Sequence, residues 1–107
     1  MSQLERRIRT YRQKEIERFV LDGTKRAPSW LPSDIWERTL AKLMILDAAH
    51  NWRDLSVVLG NQLKRLRGPW GDLYSIRIND QYRVTFRWDN NGAHDVEVTN
   101  HYKNLGR

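Results

Sequence analysis

The chain reads as an α+β fold, a small antiparallel (mixed) β-sheet with two N-terminal helices packed on one of its faces. Two alternating runs carry the sheet: Tyr74, Ile76 and Ile78 alternate with Leu73, Ser75 and Arg77, and Tyr82, Val84, Phe86 and Trp88 alternate with Arg83, Thr85 and Arg87. Only Asn79-Asp80-Gln81 separates them, so they form a hairpin. The helices show as apolar stripes at spacings of three and four in the first half of the chain. With 107 residues there is material for a single domain spanning residues 1–107 and one modest core.

Residues 2–11 fit two descriptions, since Leu4, Ile8 and Tyr11 lie on a helical stripe while Arg7-Ile8-Arg9-Thr10-Tyr11 also alternates as a short strand does. Residues 13–21 form a short helix. Its face is Ile16, Phe19 and Val20, and Gly23 is a natural stop. Two prolines make residues 24–32 a loop, after which Ser33 or Asp34 caps the longest helix and Glu37 completes a capping-box pattern with Asp34. Trp36, Leu40, Leu43 and Met44 line one side of it, joined by Ile35 and Leu46, so it should be the core helix behind the sheet. Residues 51–60 connect, with a helical turn at 54–59. The basic run 63–68 reads as a strand; with Leu66 towards the core, Arg65 and Arg67 point the opposite way. Pro69-Trp70-Gly71-Asp72 and Asn90-Asn91-Gly92 are turns, and residues 94–100 alternate around Val96 and Val98 as the closing strand. There is no internal repeat and no low-complexity segment.

Matching the apolar faces sets the register. A slip of one residue would send a whole apolar set to the wrong side, so Ile78 pairs with Tyr82, Ile76 with Val84 and Tyr74 with Phe86. On the other face Arg77 then lies across from Arg83, and Ser75 across from Thr85. In the second hairpin Phe86 meets Val96 and Val84 meets Val98, which sets Arg87 against Asp95, Thr85 against Glu97 and Arg83 against Thr99. Like charges directly opposed in a ladder are destabilising, so the arginine pair needs compensation, either by splaying into water or by binding a polyanion.

A net charge of +6 and a pI near 10.1 favour partners rich in phosphate or carboxylate. The absence of cysteine excludes a disulfide framework, a thiolate nucleophile and zinc-finger spacing, and fits a reducing cytoplasm. No apolar run approaches the roughly 18 residues of a membrane span, and the charged N-terminus lacks the apolar core of a signal peptide. A cytoplasmic location is expected.

Arg65, Arg67, Arg77, Arg83 and His101 gathered on one sheet face, beside Thr85 and Glu97, suggest a phosphate-handling site. The guanidinium fork grips phosphate oxygens and stabilises the charge of a phosphorane. RNA supplies its own nucleophile in the 2′-hydroxyl, so cleavage needs a proton acceptor, cations on the phosphate and a donor for the 5′-oxygen, but no metal or cofactor. His101 is the group that titrates near neutrality. Plainer readings stand beside these. His50 and His94 read as structural or solvated, Trp30, Trp36, Trp52 and Trp70 as core and rim packing, and the Arg6, Arg7, Arg9, Arg12 cluster as a solvated face. There is no glycine-rich phosphate loop and no credible metal-ligand spacing.

The order short strand, helix, long helix, strand, hairpin, final strand, with Leu66-Arg67-Gly68, Tyr74-Ser75-Ile76-Arg77-Ile78-Asn79, Tyr82-Arg83-Val84-Thr85-Phe86 and a closing aromatic–histidine pair, resembles the HigB (plasmid-maintenance killer) branch of the RelE/ParE toxins. The likeness covers nearly the whole chain and is most specific over residues 74–86. It implies a RelE-like toxin encoded beside a cognate antitoxin, a HigA-like helix-turn-helix protein, which enters the ribosomal A site and cleaves mRNA there without a metal. DNA would be met only through the antitoxin complex, and residues 7–11 would be the first strand. Arg83 matches the family's phosphate-binding arginine; Lys64 stands where many members have histidine, and Arg67 where they have lysine. Asn100-His101-Tyr102 replaces the usual Asp-Tyr-His, so Tyr102 takes the position of the family's catalytic histidine, although a tyrosine with a reference pKa of about 10 is a poor base at neutral pH.

The expected site is therefore Lys64, Arg67, Arg83 and His101 or Tyr102 for catalysis, with Arg65, Arg77 and Arg87 on the RNA, and with no cofactor. Two rival readings are a non-catalytic basic module that binds RNA or an acidic protein, and a ParE-like toxin aimed at DNA gyrase.

Overall fold

The two apolar faces of the first hairpin pair as their alternation requires, and the rest of the sheet is built outward from them. The structure is a computed structural model describing residues 6–57, 62–68 and 71–100. Its elements run α1 (Lys14–Asp22), α2 (Trp36–Ala48), α3 (Trp52–Ser56), β1 (Lys64–Gly68), β2 (Gly71–Arg77), β3 (Arg83–Asp89) and β4 (Gly92–Thr99). The strands form one four-stranded antiparallel sheet in sequence order. Tyr74 pairs with Phe86, Ile76 with Val84 and Arg77 with Arg83, the expected register. Asn79 Oδ1 closes the turn by accepting from the backbone N–H of Gln81 (2.9 Å) and Tyr82 (2.7 Å).

The two-way reading of residues 7–11 resolves to extended chain. Ile8 and Tyr11 make parallel bridges to Ala93 and Val96, so the antiparallel sheet gains a parallel edge beside β4. Buried Asp47 of α2 pins this arm, its Oδ1 accepting from the N–H of Arg7 and of Ile8, each at 3.0 Å. The Gln13 side chain then continues the ladder, donating to Val98 O (3.1 Å) and accepting from Val98 N (2.9 Å) as a strand residue would. Arg6, Arg9 and Arg12 are exposed, as a solvated face requires, and they also fasten the arm, Arg6 pairing with Asp47, Arg12 with Glu97 and Arg9 donating to Asn91 O.

Ile16 and Phe19 of α1 and Leu43 and Leu46 of α2 are buried in one core with Ile76, Val84, Phe86, Val96 and Val98 of the sheet. α1 ends where expected, at Gly23 with φ 78°. α2 does not start with the expected cap: Ser33–Ile35 form a 3₁₀ turn after Pro32, and no side chain caps the helix at Ile35. Its buried stripe takes in Thr39 and Asp47 and leaves Met44 49% exposed. α3 begins earlier than the expected turn, because Asn51 and Asp54 form a reciprocal capping box; residues 58–61 lie outside the described residues.

The second hairpin departs from strict alternation. Thr85 faces Glu97 and Arg83 faces Thr99 as expected, but a bulge between Thr85 and Arg87 sets Arg87 against His94 rather than Asp95. Asp95 occupies the bulge at φ 54° and stays 3.9 Å from Arg87 Nε. Among the described residues, no helix is long and apolar enough to cross a membrane.

Candidate active site

Cα partners across the sheet define the site, because paired residues share a face. Lys64 pairs with Ser75, Ser75 with Thr85 and Thr85 with Glu97; beside this row Arg77 pairs with Arg83, and Arg83 with Thr99. The opposed arginines are real. They are reconciled by diverging: Arg77 turns to Asp80 in the hairpin loop and keeps 30% of its side chain exposed, whereas Arg83 turns inward and is 2% exposed.

Arg83 Nε donates to Ser75 Oγ at 2.8 Å, and Nη2 donates to Ser75 O at 3.2 Å and to Gln62 O. These acceptors are formally neutral and fix the orientation of the guanidinium. Gln62 itself sits at φ 45°, a left-handed conformation rarely adopted by a side chain of this type. Ser75 and Thr85 are each 1% exposed, so the centre of the face that was expected to be open is sealed.

The structure separates two of the expected site residues from the rest. Arg65 pairs with Tyr74 and Arg67 with Asp72, which puts both on the Tyr74 face, opposite Arg77 and Arg83. The reason is the tight connection, in which Gly68 pairs directly with Gly71 and thereby sets the register of β1. Arg65 lies 5.7 Å over the Tyr74 ring and pairs with Asp72, whose hydrogen bond raises the arginine's pKa above its ordinary value. Next to it Arg53 stands 4.9 Å over Trp52, which stacks on Tyr74 at 5.6 Å. Arg87 remains on the Arg83 face by alternation along β3.

Lys42 of α2 is a cation that sequence reasoning missed. Burial, then the neighbouring charges of Arg38 and Arg77, lower its pKa, so it lies within the field of Arg77. Its position between Ala41 and Leu43 gives no sequence signal, since only the packing of α2 brings it there. His94 pairs with Asp89 at 3.0 Å; Asp89 is held below its usual value first by the backbone N–H of Asn91 and then by His94. His101 and Tyr102 lie outside the described residues, as do Pro69 and Trp70. Among the described residues, no group of three or more His, Asp or Glu side chains is arranged to hold a metal ion.

A helix-backed four-stranded antiparallel sheet is an α+β fold consistent with the small RelE-like toxins, and comparison with known proteins agrees. Residues 9–101 match the family model of the RelE-like toxin of type II toxin-antitoxin system HigB. The chain is 37% identical to toxin HigB-1 of Vibrio cholerae over 78 residues, 73% of this chain and 80% of that protein. It is 30% identical to an uncharacterized protein of Haemophilus influenzae over 95 residues, 89% of this chain and 92% of that one. The chain belongs to the HigB family of RelE-like toxins of type II toxin-antitoxin systems, and that membership gives it a cognate antitoxin as partner.

Proposed function

We propose that this toxin is a ribosome-dependent endoribonuclease that cleaves mRNA through the RNA's own 2′-hydroxyl and so stops translation. The observation that carries the reading is the pairing of Arg77 with Arg83 on one face, with Lys64 in the adjoining row. Arg83, oriented by Ser75, and Arg77, whose exposed partner Asp80 is easily exchanged for a stronger anion, bind the scissile phosphate and stabilise the charge that gathers on it. Lys64 adds a third cation. The 2′-hydroxyl loses its proton to His101 or Tyr102, which follow Thr99 and Asn100, and attacks the neighbouring phosphorus. The 5′-oxygen leaves with a proton, and a 2′,3′-cyclic phosphate remains. Arg87 contacts the RNA strand on the same face, while Arg65 and Arg67 meet RNA from the other. The antitoxin is a HigA-like helix-turn-helix protein, through which alone the toxin meets DNA.

The test is cleavage of mRNA on translating ribosomes by the purified toxin. Cut fragments ending in a cyclic phosphate are expected, at a rate unchanged when the toxin is first stripped with EDTA and the ribosomes' magnesium is then restored. Intact mRNA would overturn the reading. One observation favours the non-catalytic alternative: Arg83 is buried and bonded, as a structural arginine is. In that case RNA binds in a salt-sensitive way and stays whole.

A further inference from the structure

We propose that Arg38 and Lys42 of α2, together with Arg77 at the end of β2, form a second phosphate subsite, which holds the RNA backbone at the phosphate next to the scissile one. The idea rests on the nuclease reading and adds to it a contact on α2 that the sheet alone does not supply.

Two elements far apart in sequence build the cluster. Arg38 and Lys42 are four residues apart on α2, so their side chains leave the same side of the helix, one turn from each other. Arg77 is the last residue of β2, and the fold brings it close enough that its charge, after burial and the charge of Arg38, holds Lys42 below its ordinary pKa. Like charges at this helical spacing already repel, and a third cation from another element adds to the cost. The core does not require it, since Arg38 is exposed, Lys42 is half-buried and Arg77 keeps 30% of its side chain in solvent. An anion seated among the three relieves the repulsion and favours the charged lysine.

A separate observation marks the place as one that takes an anion. Arg77 Nη2 donates to Asp80 Oδ1, and that carboxylate sits in the hairpin loop with 93% of its side chain exposed. An ion pair so exposed is weak in water, so Asp80 is a tethered stand-in that a phosphate displaces. Among the described residues Arg38 pairs with no carboxylate, which leaves its fork open to the same ligand. Arg77 and Arg83 are Cα partners, about 5 Å apart on adjacent strands. A ligand that runs from Arg83 past Arg77 to Lys42 must carry anionic groups at successive positions, as a ribose–phosphate backbone does. Free phosphate offers the same oxygens but only one anion.

The full-length toxin is titrated at low salt with a 2′-O-methyl RNA dinucleotide, which has one phosphate, and with trinucleotides extended on either side, which have two. The methyl group blocks attack by the 2′-oxygen, so binding is read apart from cleavage. One of the two extensions should tighten binding two- to fivefold and steepen the salt dependence by about 0.7 in logarithmic slope, the worth of one further phosphate. Lys42→Gln should abolish that gain, and so should Arg38→Gln, an exposed change that carries the test if Lys42→Gln fails to fold. Asp80→Asn should tighten the trinucleotide, because a competitor is removed. Inorganic phosphate, followed by backbone amide NMR, is the second arm. A gain that survives both Arg38→Gln and Lys42→Gln, or weaker binding in Asp80→Asn, overturns the subsite even if mRNA is cut. Shifts at Lys42 and Arg77 with inorganic phosphate, beside an RNA affinity indifferent to both variants, overturn it in favour of a free-anion site. The predicted losses in a toxin that leaves mRNA intact support the subsite and remove the nuclease reading alone.

Discussion

Arg83 carries two roles, and they pull on the same atoms. Its guanidinium is the cation proposed for the phosphate, yet among the described residues it is also the largest buried side chain, bonded to Ser75 and Gln62. Arg83→Ala therefore removes packing and leaves buried acceptors unpaired, and should cost about 2–4 kcal/mol in stability, read from urea midpoints. Arg83→Lys keeps a charge but not the planar fork, and is the better probe of chemistry. Tyr11 offers a separate test. Burial first, then the Asp47 carboxylate, push its pKa up to about 12 from 10. A raised folded-state value means the neutral phenol favours the fold: that stability is present below pH 10 and is lost as pH rises towards 12. Wild type should lose about 2 kcal/mol more than Tyr11→Phe across that window, from the two-unit shift. Parallel curves for the two proteins would show that the phenol is not buried as described.

At the scale of elements, the arm along β4 depends on small features. Gly92 has φ 127°, and a Cβ there would lie 2.1 Å from Arg7 O, the atom that accepts from Ala93 N. Gly92→Ala should thus destabilise by more than about 1 kcal/mol and speed amide exchange at Arg9 and Arg12, whose N–H groups bond Ala93 and Val96. Protection equal to wild type would refute this. The same elements show what a sequence can and cannot disclose. The β2–β3 register was legible because each strand has one apolar face, so Arg77 opposite Arg83 followed from Ile76 and Val84. The facing of β1 was not: a lone leucine among basic residues gives no contrast between faces, and the two-residue gap from Gly68 to Gly71 set the pairing instead. The bulge at Asp95 left no glycine to announce it, and the Thr39 and Asp47 positions of α2 read as polar until the fold buried them.

For the whole molecule, the net charge of +6 is divided between two faces rather than gathered on one. Arg77, Arg83 and Lys64 share one face, with Lys42 near Arg77, and Arg65 and Arg67 stand on the other. If three of these cations meet phosphates, the logarithm of the affinity for single-stranded RNA should fall with the logarithm of salt concentration at a slope of roughly −2. A slope near zero would deny the phosphate contacts. An acidic antitoxin would gain from the same charge, since such a partner is steered to a basic surface at a rate that salt reduces.

The central claim is that chemistry belongs to the face where Arg77 meets Arg83. It is tested most directly by measuring single-turnover mRNA cleavage on ribosomes for Arg77→Gln, Arg83→Lys, Arg65→Gln and Arg67→Gln, each first verified as folded by its urea midpoint. The account predicts losses of roughly a hundredfold or more for Arg77→Gln and Arg83→Lys, the scale of removing one charge-stabilising donor, and of only a few-fold for the two on the Tyr74 face. Equal losses on both faces, or full activity in folded Arg83→Lys, would contradict it.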